Sequence, residues 1–182
     1  MMHLSWTIKK SVFIIILWYR IMSNLREEIL KRMTEDIIRS NDKRAVYIVD
    51  GAPGSGKTTY VQKRKQPGDI IMDLDMIVSA LQGDIISHPD YNPVMEIALS
   101  VRDTICEAIE KRQRAWNTAY IITSNPNKKA VEQLAGRLKG RVISMDTDVE
   151  TCIQQIKNDS TRTEIQRDIE LAREWYTKRF CK

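Results

Sequence analysis

Eight consecutive residues, Gly51-Ala52-Pro53-Gly54-Ser55-Gly56-Lys57-Thr58, have the spacing G-x-x-x-x-G-K-[ST]. Glycines at this spacing let a backbone turn tightly and aim its N–H groups into one concavity. A helix opening behind the turn adds the positive end of its dipole, so a polyphosphate is held by geometry and charge together. Lys57 is then placed to reach the β- and γ-phosphates, and the Thr58 hydroxyl to ligate Mg²⁺. Thr59 continues the run into the expected helix. The motif is meaningful only between a strand and a helix. Ala45-Val46-Tyr47-Ile48-Val49-Asp50 is apolar and β-branched, and the segment after Thr58 can be helical. The expected ligands are a nucleoside triphosphate, ATP, and Mg²⁺.

Carboxylates follow at a second strand. Ile70-Ile71-Met72 leads into Asp73-Leu74-Asp75, and ligands of parallel α/β sheets gather at the carboxyl ends of strands. A carboxylate facing a γ-phosphate holds metal through water or takes a proton from an attacking hydroxyl. Asp75 is the candidate base and Asp73 a candidate metal ligand; the structural alternative is that Asp75 caps the next helix. The third strand, Tyr120-Ile121-Ile122, ends in Thr123-Ser124-Asn125 with no acid. That argues against a motor-type ATPase and fits a kinase that takes its acid from the second strand. Thr123, Ser124 and Asn125 either bond metal waters or form a plain turn. Near the C-terminus, Asn158-Asp159-Ser160-Thr161-Arg162 interrupts two helices. Arg162 is the candidate lid cation for the transferring phosphate, with Arg167 second; the alternative is an exposed arginine in a hairpin.

The surrounding pattern supplies the scaffold. Helices are expected from Asn24 to about Ile37, from Lys57 to about Lys65, and from Asp75 to about Leu81. Others are expected from the loop ending at Pro93 to about Arg112, from Asn127 to about Leu138, from Thr147 through Ile156, and from Thr163 onward. Asn24 with Glu27, Thr147 with Glu150, and Thr163 with Gln166 have capping-box spacing. Val142-Ile143-Ser144-Met145 is the fourth strand. Strands alternating with helices of this length predict a three-layer α/β fold with a mostly parallel sheet and a small C-terminal helical lid. The loop Ser87–Pro93, with His88, Asp90 and Tyr91, is the expected acceptor side.

The run from Tyr47 to Thr59, followed about twenty residues on by Ile71-Met72-Asp73-Leu74-Asp75, resembles the small P-loop kinases grouped with bacteriophage polynucleotide kinase and the zeta-toxin-type kinases. It is also similar to short ATP-binding proteins encoded in bacterial prophages. The resemblance spans about Ala45 to Phe180. It implies that Asp75 is the base toward an accepting hydroxyl and that Arg162 is the lid arginine. The chain departs from the pattern at Ser124, where an acid is expected, and at Met76, where a phosphate-contacting arginine is expected.

With 182 residues and 42% hydrophobic content, the chain is long enough for an unstapled core. Three scattered cysteines, Cys106, Cys152 and Cys181, suggest neither disulfides nor zinc, so a cytoplasmic location is expected. The net charge of +5 suits anionic ligands. Lys9-Lys10, the apolar run Val12 to Tyr19 and Arg20 form an odd beginning. Nine residues between Lys10 and Arg20 fall short of the roughly 20 that span a bilayer, so stable membrane insertion is not expected. Met22-Ser23-Asn24-Leu25 reads as an ordinary protein start. Residues 1–21 are therefore expected to be an upstream extension and 22–182 a single domain.

The leading expectation is a kinase that moves the γ-phosphoryl of ATP–Mg²⁺ to a hydroxyl or phosphate acceptor, with a nucleic-acid 5′-end or a small molecule as partner. The rival is an accessory ATPase or nucleotide switch driven by a partner.

Overall fold

Two apolar segments, β-branched and buried on both faces, form the centre of one parallel sheet, and two shorter segments pair at its edges. The computed structural model describes residues 6–40, 44–83, 94–162 and 164–180. Along the chain run α1 (Trp6–Ser40), β1 (Ala45–Asp50), α2 (Lys57–Gln62), β2 (Ile70–Met72), α3 (Leu74–Gln82) and α4 (Met95–Glu110). They are followed by β3 (Thr118–Thr123), α5 (Lys128–Leu138), β4 (Arg141–Ser144), α6 (Val149–Asn158) and α7 (Ile165–Phe180). The strand order is β2-β3-β1-β4, and every pairing is parallel. The expected α/β architecture is the observed one.

Alternation along β1 sets up the layers. Val46 and Ile48 join Ile121 and Ala119 against Ile109 of α4 and Val131, Ala135 and Leu138 of α5. Val49 faces the other way, with Tyr120 and Ile122, onto Val61 of α2. Period-two side chains of a strand point to opposite faces, so β1 and β3 are covered on both. Ile48, Ile109, Ile121 and Leu138 are fully buried, each stabilising the fold by about 1.5–3 kcal/mol. Tyr47 and Tyr120 stack at 5.6 Å across the β1–β3 pair.

Helix boundaries follow their caps. Asn127 caps α5, its side chain accepting from the Ala130 N–H at 3.2 Å. Gly83 ends α3 with a left-handed φ of 77°. The cap of α6 is Asp148, which accepts from Thr151 N at 2.8 Å. It stands one residue beyond the expected Thr147, whose hydroxyl is used elsewhere. The expected cap Thr163 lies outside the described residues, as do Ser87–Pro93 with His88, Asp90 and Tyr91.

The chain divides into two compact units, Met1–Lys43 and Arg44–Lys182. The first contains α1, which runs unbroken through Asn24 rather than starting there. Its 35 residues contain neither glycine nor proline, so nothing interrupts the helix and the capping spacing at Asn24 and Glu27 goes unused. Residues 16–33 of α1 are all exposed. Among the described residues no helix is long and apolar enough to cross a membrane.

Candidate active site

The glycine loop connects β1 to α2 as its motif requires. Gly56 stands just before the helix with φ 86°, a left-handed conformation that costs a residue with a Cβ appreciably. Gly54 combines a φ of +77° with close approach: a Cβ there would lie 2.6 Å from the Cys152 carbonyl oxygen and 2.7 Å from Ile156. The loop is thus pressed against α6, and only glycine fits that contact. Thr147 Oγ1 donates to the Ser55 carbonyl at 3.1 Å, tying the β4–α6 connection to the loop. Ala52 packs with Cys152 and Trp175. The C-terminal helices therefore buttress the loop from behind, with Tyr176 of α7 donating to the Thr147 carbonyl.

Lys57 opens α2 and is only 8% exposed. Its Nζ donates to the carbonyls of Gly51 at 3.0 Å and Ala52 at 2.7 Å. Burial pulls its pKa down to about 8, against Asp73, Asp50 and Asp75, whose carboxylates favour the charged form. The carboxylates at the ends of β1 and β2 thus act electrostatically on the lysine of the loop, an influence across strands that sequence spacing does not give. Thr58 and Thr59 are exposed on the first turn of α2, and the Ser55 hydroxyl is buried without a partner among the described residues. An orphaned buried hydroxyl in a concave loop is a position for a ligand oxygen.

Asp73 is buried and caps α3, its Oδ1 accepting from Asp75 N at 3.1 Å. The capping alternative for Asp75 therefore fails, because the geometry gives that job to Asp73. Asp75 occupies the first turn of α3 and is half-buried. Mg²⁺ is commonly held by one or two carboxylates together with substrate phosphates. Thr58, exposed on the first turn of α2, and Asp73, at the end of β2, carry oxygens of the type such an ion takes.

Beyond β3, Thr123 Oγ1 accepts from Asn125 N at 3.3 Å and Asn125 Oδ1 from Asn127 N at 2.9 Å, the bonding of a strand-to-helix turn. Arg162 lies at the α6–α7 turn, with its side chain 10% exposed. Its Nε donates to Asp159 at 3.1 Å and its Nη1 to Asp168. In this conformation the guanidinium is turned to two carboxylates, and a role at phosphate requires that pairing to open. Arg167 is exposed on α7.

A residue that sequence reasoning passed over lies next to the loop. Arg179 of α7 reaches Asp50, the last residue of β1, at 2.5 Å, and Asp50 is fully buried. Burial raises the Asp50 pKa, while the Arg179 charge and hydrogen bond pull it down. A signal existed: Ile169, Ala172 and Tyr176 make the inward stripe of α7, and Arg179 continues it at helical spacing.

No protein-family model and no curated protein matches this chain. Solved structures do. A chain of the Pnkp1/Rnl/Hen1 RNA repair complex superposes with a TM-score of 0.53 at 15% identity, over 77% of this chain and 48% of that one. This chain thus spans about half the length of that neighbour. Shikimate kinase from Acinetobacter baumannii, in complex with shikimate, gives a TM-score of 0.48 at 17% identity, covering 76% and 78%. Shikimate kinase from Bacteroides thetaiotaomicron gives 0.49 at 13%, covering 74% and 78%. At these identities the likeness concerns the fold alone.

Proposed function

We propose that this chain is an ATP–Mg²⁺-dependent phosphotransferase that moves a γ-phosphoryl group to a hydroxyl or phosphate acceptor. The observation that carries the reading is the glycine loop between β1 and α2, with Lys57 buried against the Gly51 and Ala52 carbonyls and the Ser55 hydroxyl orphaned beside it among the described residues. Phosphoryl transfer needs little covalent chemistry from a protein; positioning and electrostatic stabilisation do most of the work.

Residues 51–59 would cradle the phosphates, with Lys57 exchanging the carbonyls of Gly51 and Ala52 for β- and γ-oxygens. Thr58 and Asp73 would hold Mg²⁺, which would supply positive charge to offset the charge developing on the transferring phosphate. Asp75 accepts the proton of the attacking hydroxyl. Asp73, bonded to Asp75 N, fixes the backbone from which that base projects. Arg162 is the lid cation of this proposal, acting after it leaves Asp159 and Asp168. Absence of an acid in Thr123-Ser124-Asn125 favours transfer to a bound acceptor over water activation.

Among acceptors we place the 5′-hydroxyl ends of oligonucleotides first, on the resemblance of the loop and the Asp73–Asp75 segment to polynucleotide kinases and on the net charge of +5. The test is labelled ATP with 5′-hydroxyl oligonucleotides, nucleosides, nucleotides and nucleotide sugars. Label on one acceptor class, abolished by Asp75→Asn, is the expected result. Steady ATP hydrolysis with no labelled acceptor would instead establish a partner-driven ATPase.

A further inference from the structure

Strands of a parallel sheet all begin at one end, and here that end is opposite the glycine loop. The connections arriving there are strongly basic. Lys63, Arg64 and Lys65 lead toward β2, Arg114 precedes β3, and Lys139 and Arg141 flank the start of β4; all are exposed. Backbone and side-chain bonds stitch these segments into one surface. Asn117 N donates to the Gly68 carbonyl at 3.0 Å and its Nδ2 to that of Pro67 at 2.9 Å. Arg44 donates to the carbonyls of Arg114 at 2.6 Å and Arg112 at 2.9 Å, and Arg112 to that of Leu138 at 3.3 Å. Both guanidiniums also lie over the Trp116 ring, at 4.6 Å and 5.3 Å.

Among the described residues, two nearby carboxylates are engaged within the fold. Asp69 is turned inward, accepting from Thr118 N at 3.0 Å and Gln66 N at 2.8 Å, and Glu110 pairs with Arg137. Among the described residues, the non-glycine positions with left-handed backbone are Arg112, Arg114 and Lys139, with φ of 52°, 61° and 51°. All three belong to this edge. Side chains with a Cβ resist that conformation, so the fold holds these basic turns against their local preference.

We propose that the amino-terminal edge of the sheet binds the phosphodiester backbone of a nucleic acid, without base specificity, at a site separate from the nucleotide site. Recognition by charge alone favours this occupant. Protein interfaces have an apolar core and lipid-surface binding needs apolar anchors, whereas Trp116 and Leu138 are buried here. Among the described residues of this edge the exposed large apolar side chain is Val142, at 36%, which is too little for an apolar interface core. A spread of cations suits a polymer that repeats a negative charge every few ångströms, about 3.4 Å per strand in a duplex.

The test is fluorescence anisotropy of the full chain with labelled single-stranded and duplex DNA, between roughly 50 and 200 mM salt. Binding that weakens steeply with salt is expected. The Arg114→Glu/Lys139→Glu/Arg141→Glu variant should lose about tenfold in DNA affinity or more and flatten the salt slope, while its affinity for a fluorescent ATP analogue stays at the wild-type value. Lys57→Ala should bind DNA as wild type does, which separates this site from the kinase reading. If the triple variant does not fold, Lys63→Glu/Lys65→Glu, at exposed positions after α2, takes its place. No binding of wild type at low salt, or unchanged binding by the reversed-charge chain, overturns the proposal. So does displacement of DNA by poly-glutamate at equal charge, which would assign the edge to an acidic protein. Loss of DNA binding in Lys57→Ala would move the DNA to the glycine loop and overturn it as well.

Discussion

Asp50 and Arg179 meet at 2.5 Å across 129 residues of sequence, joining the strand that feeds the glycine loop to the last helix of the chain. Asp50 is fully buried, the Arg179 side chain is 9% exposed, and the second carboxylate oxygen of Asp50 has no partner among the described residues. Breaking such a pair leaves a buried charge uncompensated. Arg179→Ala should cost about 3–5 kcal/mol, read by urea denaturation. Adding Asp50→Asn should recover much of that loss, because the orphaned charge disappears. Equal stability of Arg179→Ala and wild type would show that the pair does not hold α7 to the loop.

The loop lysine gives a pH signature. Lys57 is pulled down to about 8 by burial, and bound phosphates favour its charged form. ATP affinity should therefore be flat below about pH 8 and fall as pH rises through it, with proton uptake on binding above that value. Calorimetry in buffers of different ionisation enthalpy measures both. Lys57→Arg keeps its charge throughout and should lose the inflection. Lys57→Ala should weaken ATP binding roughly 10- to 100-fold, the worth of a hydrogen bond to a charged group.

Asp75→Asn separates chemistry from folding. Since Asp73 caps α3, the substitution leaves the cap in place and the melting temperature should hold. Transfer should fall by roughly 10²–10⁴ with ATP–Mg²⁺ affinity retained. Unchanged turnover would remove Asp75 as the base.

Gly54→Ala addresses the buttress. The added Cβ meets the Cys152 carbonyl at 2.6 Å in a left-handed backbone, so the loop must move away from α6. Lower thermal stability together with weakened ATP binding is expected. A variant as stable as wild type with unchanged nucleotide affinity would show that the loop tolerates that displacement.

Domain limits can be tested by starting the chain at Met22. The residues of the sheet and loop all belong to the unit Arg44–Lys182, so the melting temperature and ATP binding of the shortened chain should match those of the full one. Insolubility would show that the segment before Met22 contributes to folding.

By itself the sequence determined the donor side of the site and the α/β class. A glycine loop between a β-branched strand and a helix is local chemistry, specified by adjacent residues through turn geometry. The strands were legible for the same reason, as apolar runs between turn residues, and Asn127 was legible as a cap. Start signals misled where nothing opposed helix continuation, as at Asn24, or where a neighbouring residue capped better, as Asp148 does beside Thr147. Only the tertiary structure decided which acids act on Lys57, because Asp50 and Asp73 end strands that β3 separates in the sheet, an order that spacing does not give. It also turned Arg162 toward Asp159 and Asp168 and Arg179 toward Asp50. Each arginine could have served either phosphate or carboxylate on sequence grounds. The choice between those partners depends on how α6 and α7 pack behind the loop, and that packing is a long-range property of buried side chains.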